Sequence, residues 1–242
     1  MTKRYGLIGY PLTHSFSPSY FNEKYRREHI TDTTYDIFPL EQITSFPELI
    51  ATGVAGLNVT IPYKEQVIPY LDELSEACSE IKAVNTIKIK DGKLYGYNTD
   101  VIGFEQTLLE LLDGAKPTKA LVLGTGGAAK AIVYVLKSLG IKYTYISRKR
   151  PHLTYDELNQ ELIEAHKLII NTTPLGMSPQ DNTFPDIPFQ YLGNEHFLYD
   201  LVYNPEKTIF LTKGVARGAR TKNGYDMLIK QAEASWDIWN QP

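Results

Sequence analysis

The chain has 242 residues, of which 43% are apolar and 22% are charged, and its formal net charge is −3. This length suits one large domain or two modest ones, with enough apolar residues to form a hydrophobic core. The near balance of charge argues against a disordered tail and against a nucleic-acid-binding surface.

The single cysteine, Cys78, excludes an internal disulfide and is compatible with a reducing compartment, so we expect cytoplasmic localisation. The amino-terminal stretch lacks the apolar core of a signal peptide, and no apolar run approaches the length of a membrane span. The five histidines are scattered, without the spacing of metal ligands. We expect no metal site and no membrane or nucleic-acid partner.

The first hundred residues alternate strand-like and helix-like segments. RYGLIG predicts a strand, and SPSYFNEKYRREH, which opens on Ser-Pro, predicts a helix. GLNVTIP predicts a second strand, and a short helix follows in YKEQVIPYL. AVNTIKIKDGKLYGYN predicts a hairpin because Asp91 and Gly92 separate two alternating runs. DVIGFEQTLLELLDG then predicts a helix that ends at Gly114.

The middle of the chain repeats a strand–helix alternation. KALVLG is a continuous apolar run, typical of a parallel strand buried on both faces, and the helix GGAAKAIVYVLKSLG follows it. KYTYIS predicts the next strand, and Thr154 with Glu157 forms a capping-box pattern that predicts the start of a helix. KLIINTT and HFLYDLVYN predict two more strands. This order indicates a doubly wound parallel sheet.

The last segment, NGYDMLIKQAEASWDIW, predicts a helix with one apolar stripe. Trp236 and Trp239 lie on that stripe and require a surface to bury them. Periodicity alone does not identify that surface.

A glycine-rich turn joins the first middle strand to its helix. LVLGTGGAAKA places Gly124, Gly126 and Ala129 in a G-x-G-x-x-A pattern between a strand and a helix. The glycines permit a tight turn and close approach of a pyrophosphate, which the helix N-terminus would bind. A glycine turn without a ligand is the alternative, but the flanking strand and helix favour a dinucleotide site.

The end of the following strand selects the cofactor. NAD-binding versions of this fold carry an acidic residue about 20 positions after the motif, to bind the ribose 2′-hydroxyl. Here Arg148 lies 24 positions after Gly124, followed by Lys149 and Arg150, without a carboxylate. A solvated basic loop is the alternative. The position after the second strand favours NADP, because arginine binds a 2′-phosphate with paired donors.

Several polar motifs outside the glycine turn have ordinary explanations when taken singly. Asp100 is placed to cap the helix that follows it, and Lys64 could be an exposed lysine. Ser17, before Pro18, is predicted to be a helix N-cap with proline at the first helical position. If the chain is extended from His14 to Ser17, the side chains of Ser15 and Ser17 point to the same side.

Together these motifs resemble the shikimate dehydrogenase family over nearly the whole chain. They occur in the family's order: HSFSP, NVTIPYK, AVNT, GYNTD, GTGGAAKA, SRK, NTTPLGM, DLVYNPEKT and GYDMLIKQA. NVTIPYK and NTTPLGM are the specific ones, whereas the glycine motif is shared with many folds. The resemblance implies reversible NADPH-dependent reduction of 3-dehydroshikimate to shikimate, in aromatic amino-acid biosynthesis.

The resemblance also implies a two-domain α/β fold. An N-terminal α/β substrate domain, residues 1–100 plus 224–242, would be joined to a Rossmann-type, doubly wound NADP-binding domain, residues 101–223. The C-terminal helix would return to the first domain, and the active site would lie in the cleft between the domains. The expected assembly is a monomer or a homodimer.

The resemblance assigns residue roles as well. Ser15 and Ser17 would hold the substrate carboxylate, and Lys64, partnered by Asp100, would be the acid/base group. The ring hydroxyls would be bound by Thr60, Asn85, Asp100 and Gln231, with Tyr203 nearby. The residues expected to bind NADP are Gly124, Thr125, Gly126, Gly127, Ala128, Ser147, Arg148, Lys149, Thr172, Leu201 and Gly224.

Two points qualify these assignments. The family's usual Asn-Arg-Thr is replaced by Ser147-Arg148-Lys149, which keeps the arginine and adds a charge, so NADP preference is still expected. If Pro62 opens a helix, the helix dipole would lower the pKa of Lys64, whereas Asp100 would raise it. The sequence does not decide which effect prevails.

Other functions stay open at this point. A quinate/shikimate dehydrogenase with broader substrate use would share all of these motifs. Methylenetetrahydrofolate dehydrogenase also joins a lysine site to a dinucleotide domain, but it would not explain the paired serines or NTTPLGM. A catalytically silent NADP-binding sensor is disfavoured because Lys64 and Asp100 are both present.

Overall fold

A computed structural model describes residues 2–12 and 15–241. The chain divides into two compact units, Met1–Thr99 with Ala232–Pro242 and Asp100–Gln231. Each unit contains one six-stranded sheet. Within the described residues, no helix combines the length and the apolar character that a membrane crossing requires.

The sheet of the first unit is mixed. Its strands are β1 (Lys3–Gly9), β2 (Thr33–Pro39), β3 (Gly56–Val59), β4 (Glu73–Leu74), β5 (Thr86–Lys90) and β6 (Lys93–Tyr97). They lie in the order β2-β1-β3-β5-β6-β4. Strand β1 is parallel to both β2 and β3, whereas β3–β5 and β5–β6 are antiparallel.

Most elements of this unit match the sequence prediction. The hairpin is confirmed: Lys90 of β5 pairs with Lys93 of β6, and Asp91 and Gly92 both have positive φ, of 52° and 75°. Both values are those of a type I′ turn. Strand β2 has no counterpart in the prediction, because it is an edge strand whose exposed alternate residues carry little apolar signal.

Short helices cover the first sheet on both faces. They are α1 (Phe16–Arg27), α2 (Phe46–Ala51), α3 (Tyr63–Gln66) and α4 (Glu76–Ile81). Successive residues of β1 enter different hydrophobic clusters: Leu7 packs with Phe21 of α1, and Ile8 packs with Phe46 of α2. The sheet is therefore buried on both sides.

The second unit has the predicted doubly wound sheet, in which every pair of neighbouring strands is parallel. Its strands are β7 (Lys119–Leu123), β8 (Lys142–Ser147), β9 (Leu153–Thr154), β10 (Leu168–Asn171), β11 (Phe197–Asp200) and β12 (Arg220–Lys222), in the order β12-β11-β10-β7-β8-β9. Its helices are α5 (Thr99–Leu112, which begins at the boundary), α6 (Gly127–Ser138), α7 (Gln160–Ala165) and α8 (Ile209–Val215).

The capping-box pattern forms, but it does not open a helix as predicted. Glu157 Oε2 accepts hydrogen bonds from the backbone N of Thr154 (2.8 Å) and from its Oγ1 (2.9 Å). The turn that follows, Tyr155–Glu157, is a single 3₁₀ turn. Helix α7 begins later and has its own cap, since Asn159 Oδ1 accepts from the backbone N of Leu162. The box therefore fixes a loop.

The last helix, α9 (Tyr225–Asn240), buries its tryptophan stripe in the first unit, as the predicted return to the first domain requires. The ring of Trp239 stacks on Tyr5 of β1, with centroids 4.5 Å apart, and its Nε1 donates to the Ile87 carbonyl at 2.9 Å. Trp236 meets the edge of the same Tyr5 ring. Lys24 of α1 adds a 2.7 Å ion pair with Glu233.

Candidate functional site

The turn after β7 has the backbone geometry of a phosphate-binding loop. Gly124 has φ of +104°, and a Cβ there would lie 2.9 Å from both Thr172 Oγ1 and Thr173 Cγ2, so this position requires glycine. Helix α6 begins at Gly127, and Gly126 caps it without a side-chain hydrogen bond. The backbone N–H groups of the first turn of α6 are therefore available for an anion.

A cavity of about 410 Å³ lies at the carboxyl ends of β7, β8 and β10. It is the position at which doubly wound sheets bind nucleotides. Six predicted cofactor residues line it: Gly124, Thr125, Gly126, Ser147, Arg148 and Thr172. Five further residues complete the wall: Ile146, Tyr155, Thr173, Pro174 and Leu175. The glycine turn, the basic strand end and the NTTPLGM segment thus meet in one site.

The sequence signalled some of these additional residues and not others. Thr173, Pro174 and Leu175 belong to NTTPLGM and follow β10, so their place at the carboxyl edge was available from the motif. Tyr155 was missed. It reaches the cavity because β9 pairs with β8 and the Thr154–Glu157 box fixes the next turn, and no spacing encodes that contact.

The basic strand end places one arginine at the cavity. Arg148 lines it, while Lys149 is exposed beside it. The guanidinium of Arg150 instead pairs with Glu157 at 2.9 Å. Arg148 is therefore the basic residue of this stretch that lines the cavity, and residues 147–150 contain no carboxylate.

The other predicted cofactor residues do not line the cavity in the part of the chain that the structure describes. Gly127 and Ala128 form the first turn of α6. Leu201 and Gly224 lie together: a Cβ on Gly224 would be 2.1 Å from the Leu201 carbonyl oxygen, so only glycine fits there. These two residues are therefore in close contact in the second unit, but they are not part of the cavity wall.

The predicted serine cap is wrong. Helix α1 begins at Phe16, with Ser15 as the extended N-cap residue, and Ser17 already lies in the first turn. Proline is accepted throughout a helix's first turn, since the N–H groups there have no acceptor within the helix, so Pro18 does not mark the first position. Burial raises the pKa of Tyr35 in the same unit, and the Ser17 hydroxyl acts on it in the opposite direction. His14 lies outside the described residues.

A buried network of polar side chains lies in the first unit. The Tyr35 hydroxyl donates to Asn58 Oδ1 at 2.7 Å, and Asn58 Nδ2 donates to Ser235 Oγ at 3.0 Å. Burial raises the pKa of Tyr35 well above its usual value, so its hydroxyl stays protonated as the donor. The network joins β2, β3 and α9 through hydrogen bonds that leave little freedom to their side chains.

Thr60, Lys64 and Asn85 are brought together by backbone hydrogen bonds. The Val59 N donates to the Asn85 carbonyl, and the Val84 N donates to the Lys64 carbonyl, both at 2.8 Å. Lys64 is the second residue of the four-residue helix α3, and Pro62 is its N-cap residue, one position outside the helix. These three predicted substrate residues therefore lie at the same end of the neighbouring strands β3 and β5.

Three predicted substrate residues belong to the second unit. Asp100 lies in the first turn of α5, which begins at Thr99, so it is inside the helix and not its cap. The side chain of Tyr203 is 39% exposed. Gln231 is buried, and its Nε2 donates to the Leu228 carbonyl at 3.0 Å.

The sequence did not predict a buried carboxylate that lies next to the loop after β10, one of the loops that line the cavity. Asp200, the last residue of β11, accepts hydrogen bonds from Asn171 Nδ2 (2.9 Å) and Thr208 Oγ1 (2.7 Å). Burial raises the pKa of Asp200 to about 6, although these hydrogen bonds act in the opposite direction. A carboxylate at a strand end in DLVYNPEKT was the available signal.

Comparison with known proteins places this site in a family. Residues 7–87 match the family model described as the shikimate dehydrogenase substrate binding domain. A shikimate dehydrogenase (NADP(+)) of Carboxydothermus hydrogenoformans is 38% identical, over 98% of this chain and 91% of that protein. The chain belongs to the shikimate dehydrogenase family.

Solved structures of the family have the same fold. Shikimate dehydrogenase from Aquifex aeolicus matches with a TM-score of 0.87 and 35% identity, over 99% of this chain and 92% of that one. Quinate dehydrogenase from Corynebacterium glutamicum, in complex with NAD, matches with a TM-score of 0.89 and 28% identity, over 99% and 94%. Solved structures that are similar to this chain therefore include enzymes named for shikimate and for quinate.

Gly126→Ala tests the nucleotide cavity of this family member. Gly126 has φ of −76°, which alanine adopts, and a Cβ there meets no atom within 4 Å, so stability should be unchanged. The added methyl group would occupy the space through which a pyrophosphate approaches the backbone. We expect the Kd for NADPH to rise about tenfold or more, measured by fluorescence titration.

Gly193→Ala is the matched control, because its Cβ also meets no atom within 4 Å and it does not line the cavity. Its Kd should equal that of the unmodified protein. An unchanged Kd for NADPH in Gly126→Ala would contradict binding of the pyrophosphate at this loop.

The pKa of Asp200 predicts a pH dependence of stability. Between its usual value of 3.8 and about 6, the folded state binds a proton that the unfolded state has released. The free energy of unfolding should therefore fall as the pH rises through this window, by about 3 kcal/mol from this group. In Asp200→Asn this decrease should be absent, which urea unfolding at pH 4 and pH 7 measures. Equal pH dependence in both proteins would contradict a raised pKa.

Proposed function

We propose that this member of the shikimate dehydrogenase family catalyses the reversible, NADPH-dependent reduction of 3-dehydroshikimate to shikimate. The observation that carries the proposal is a nucleotide cavity with Arg148 at its edge, in a chain that matches NADP-dependent shikimate dehydrogenases over nearly its full length. We place the reaction in the cytoplasm, on the biosynthetic role of the family alone, and propose a monomer or homodimer.

The residues at the cavity fit NADP. Gly126 leaves open backbone where a pyrophosphate would lie, Gly124 allows the tight turn before it, and the first turn of α6 offers its N–H groups. Arg148 would bind the 2′-phosphate, with Ser147 and Lys149 beside it. When bound, NADPH supplies the hydride. We propose that Gly127, Ala128, Leu201 and Gly224 complete the cofactor site.

We propose that Ser15 and Ser17 bind the substrate carboxylate. They occupy the N-cap and the first turn of α1, a twelve-residue helix whose first turn contains no acidic residue. The helix N-terminus favours an anion there, and each hydroxyl has a proton to donate. The N-cap of α1 makes no side-chain hydrogen bond, so the Ser15 hydroxyl is not used by the helix.

The proposed contacts with the ring hydroxyls are Thr60, Asn85, Asp100 and Gln231, with Tyr203 nearby. The role of Asn85 follows from its hydrogen bonds. Its Oδ1 accepts from the backbone N of Thr99 at 2.7 Å, from Thr99 Oγ1 and from Thr86 Oγ1. The amide oxygen is thus occupied, so Asn85 would offer its Nδ2 as a donor to a substrate oxygen.

Lys64 is the proposed acid/base residue, with Asp100 as its proposed partner. Reduction of a ketone leaves negative charge on its oxygen, which an ammonium group stabilises and then protonates. The reverse reaction requires the same amine in its neutral form.

The proposed domains are residues 1–100 plus 224–242 for substrate and 101–223 for NADP.

A broader quinate/shikimate dehydrogenase is the second candidate. Its support is the similarity to the quinate dehydrogenase of Corynebacterium glutamicum, which has a TM-score of 0.89. That structure is a complex with NAD, whereas residues 147–150 of this chain are basic and contain no carboxylate. The two candidates thus differ in the ketone reduced and in cofactor preference.

One assay distinguishes the candidate functions. The oxidation of NADPH or NADH is followed by absorbance with 3-dehydroshikimate and, separately, with 3-dehydroquinate. We expect turnover with 3-dehydroshikimate and NADPH, and far less in the other three combinations. Comparable turnover of 3-dehydroquinate would replace the proposal by the broader enzyme, and NADPH binding without any turnover would replace it by a sensor.

Lys64→Ala tests the acid/base assignment. Loss of a general acid costs at least about a hundredfold in turnover, while NADPH binding should be unchanged because Lys64 does not line the cavity. Lys90→Ala, in the exposed end of the β5–β6 hairpin, is the control and should keep full activity. Near-normal turnover in Lys64→Ala would end the assignment.

A further inference from the structure

Asp200 is a buried carboxylate to which the proposed chemistry assigns no part. It is fully buried, and among the described residues it forms no ion pair with a lysine, arginine or histidine. Burying a carboxylate without a cation costs stability, and the raised pKa reports that cost. Stability therefore does not explain its presence at the end of β11.

On one side, Asp200 fixes the orientation of the side-chain amide of Asn171. Asn171 Nδ2 donates to Asp200 Oδ1 at 2.9 Å, which turns Asn171 Oδ1 toward the loop that follows β10. There Asn171 Oδ1 accepts from the backbone N of Thr173 (3.0 Å) and from its Oγ1 (2.6 Å). Thr173 lines the nucleotide cavity beside Thr172. The carboxylate thus acts on the cavity wall through one intervening side chain.

On the other side, Asp200 holds both ends of the loop that follows β11. The backbone N of Val202 donates to Oδ1 at 3.1 Å, and Thr208 Oγ1 donates to Oδ2 at 2.7 Å. Thr208 is also the N-cap of α8, because its Oγ1 accepts from the backbone N of Leu211. The loop between these anchors, residues 201–208, contains Leu201 and Tyr203.

A carboxylate suits this position because all three of its partners are donors. An ionised carboxylate accepts only, and its two oxygens have about four lone-pair sites. An amide would keep one acceptor oxygen but would direct its own N–H groups at a donor. The two loops also share backbone hydrogen bonds, from Leu201 N to the Asn171 carbonyl and from Ser178 N to the Asn204 carbonyl. Replacing the carboxylate should therefore reorient the loops without separating them.

We propose that Asp200 is a positioning residue for the cofactor, which orients loops 171–175 and 201–208 around the nucleotide through Asn171 and Thr208. The inference rests on the proposed NADP-dependent function. It concerns the part of the cavity formed after β10. Arg148, by contrast, follows β8, on the opposite side of β7 in the sheet order. Loss of the Asp200 carboxylate should therefore weaken binding of the part of the cofactor that lies near the loop after β10 more than binding of the part near Arg148.

Asp200→Asn tests the inference with two ligands. NADPH occupies the whole site, whereas adenosine 2′,5′-bisphosphate carries only the part that would meet Arg148. We expect the Kd of NADPH to rise about tenfold and that of adenosine 2′,5′-bisphosphate to change less than about twofold. The melting temperature at pH 7 should change little, because removal of the buried charge and loss of one hydrogen bond act in opposite directions.

Thr107→Val is the matched control. Thr107 is fully buried, and its Oγ1 shares a 2.7 Å hydrogen bond with the hydroxyl of Tyr199, the neighbour of Asp200 on β11. Neither residue contacts the cavity loops through a side-chain hydrogen bond. This variant should lose stability and keep both Kd values. Thr208→Val, which removes one donor and keeps the carboxylate, should weaken NADPH binding in the same unequal way.

Equal Kd values for NADPH in Asp200→Asn and in the unmodified protein would overturn the inference. So would a parallel rise for both ligands with a lowered melting temperature, which is the result of general destabilisation. If the unmodified protein binds NADPH but does not turn over 3-dehydroshikimate, the proposed reaction fails while the binding test of Asp200 still stands. If it binds no NADPH, both proposals fail together.

Discussion

Parallel pairing of β7 with β8 and β10 is the constraint on which the nucleotide site depends. Parallel strands end at one edge of a sheet, so segments that follow different strands meet there, however far apart they are in the sequence. The glycine turn follows β7, Arg148 follows β8, and Thr172 follows β10. Because β10 is fully buried and β7 is buried except at Lys119, the register of these two strands is fixed, and so are the starting points of the loops that follow them.

In the first unit, hydrogen bonds between side chains hold residues of different strands and helices in fixed positions. Its sheet is mixed, and its predicted substrate residues follow β1, follow β3 or immediately precede β5. Tyr35, Asn58 and Ser235 are all buried, so an unmade hydrogen bond among them would leave a polar atom without water or partner. That cost fixes the orientations of these three side chains.

The local parts of this architecture were predictable, and the parts made by distant contacts were not. The glycine turn, Arg148 and the hairpin at Asp91 each depend on a few neighbouring residues whose chemistry is specific. Tyr155 and Asp200 act through loops separated by many residues, and no periodicity encodes such a contact. The family of the chain followed from its motifs, because their order and spacing were retained from the first strand to the last helix.

The placement of α9 has a consequence for the order in which the chain acquires structure. Trp239 packs against Tyr5, and Ser235 bonds to Asn58, so the interior of the first unit is completed by residues near the end of the chain. A nascent chain that has emerged only to Thr99 lacks these partners and leaves the Tyr5 and Phe21 rings uncovered. The second unit is continuous in sequence and can fold during synthesis. The first unit is completed only after the whole second unit has been synthesised.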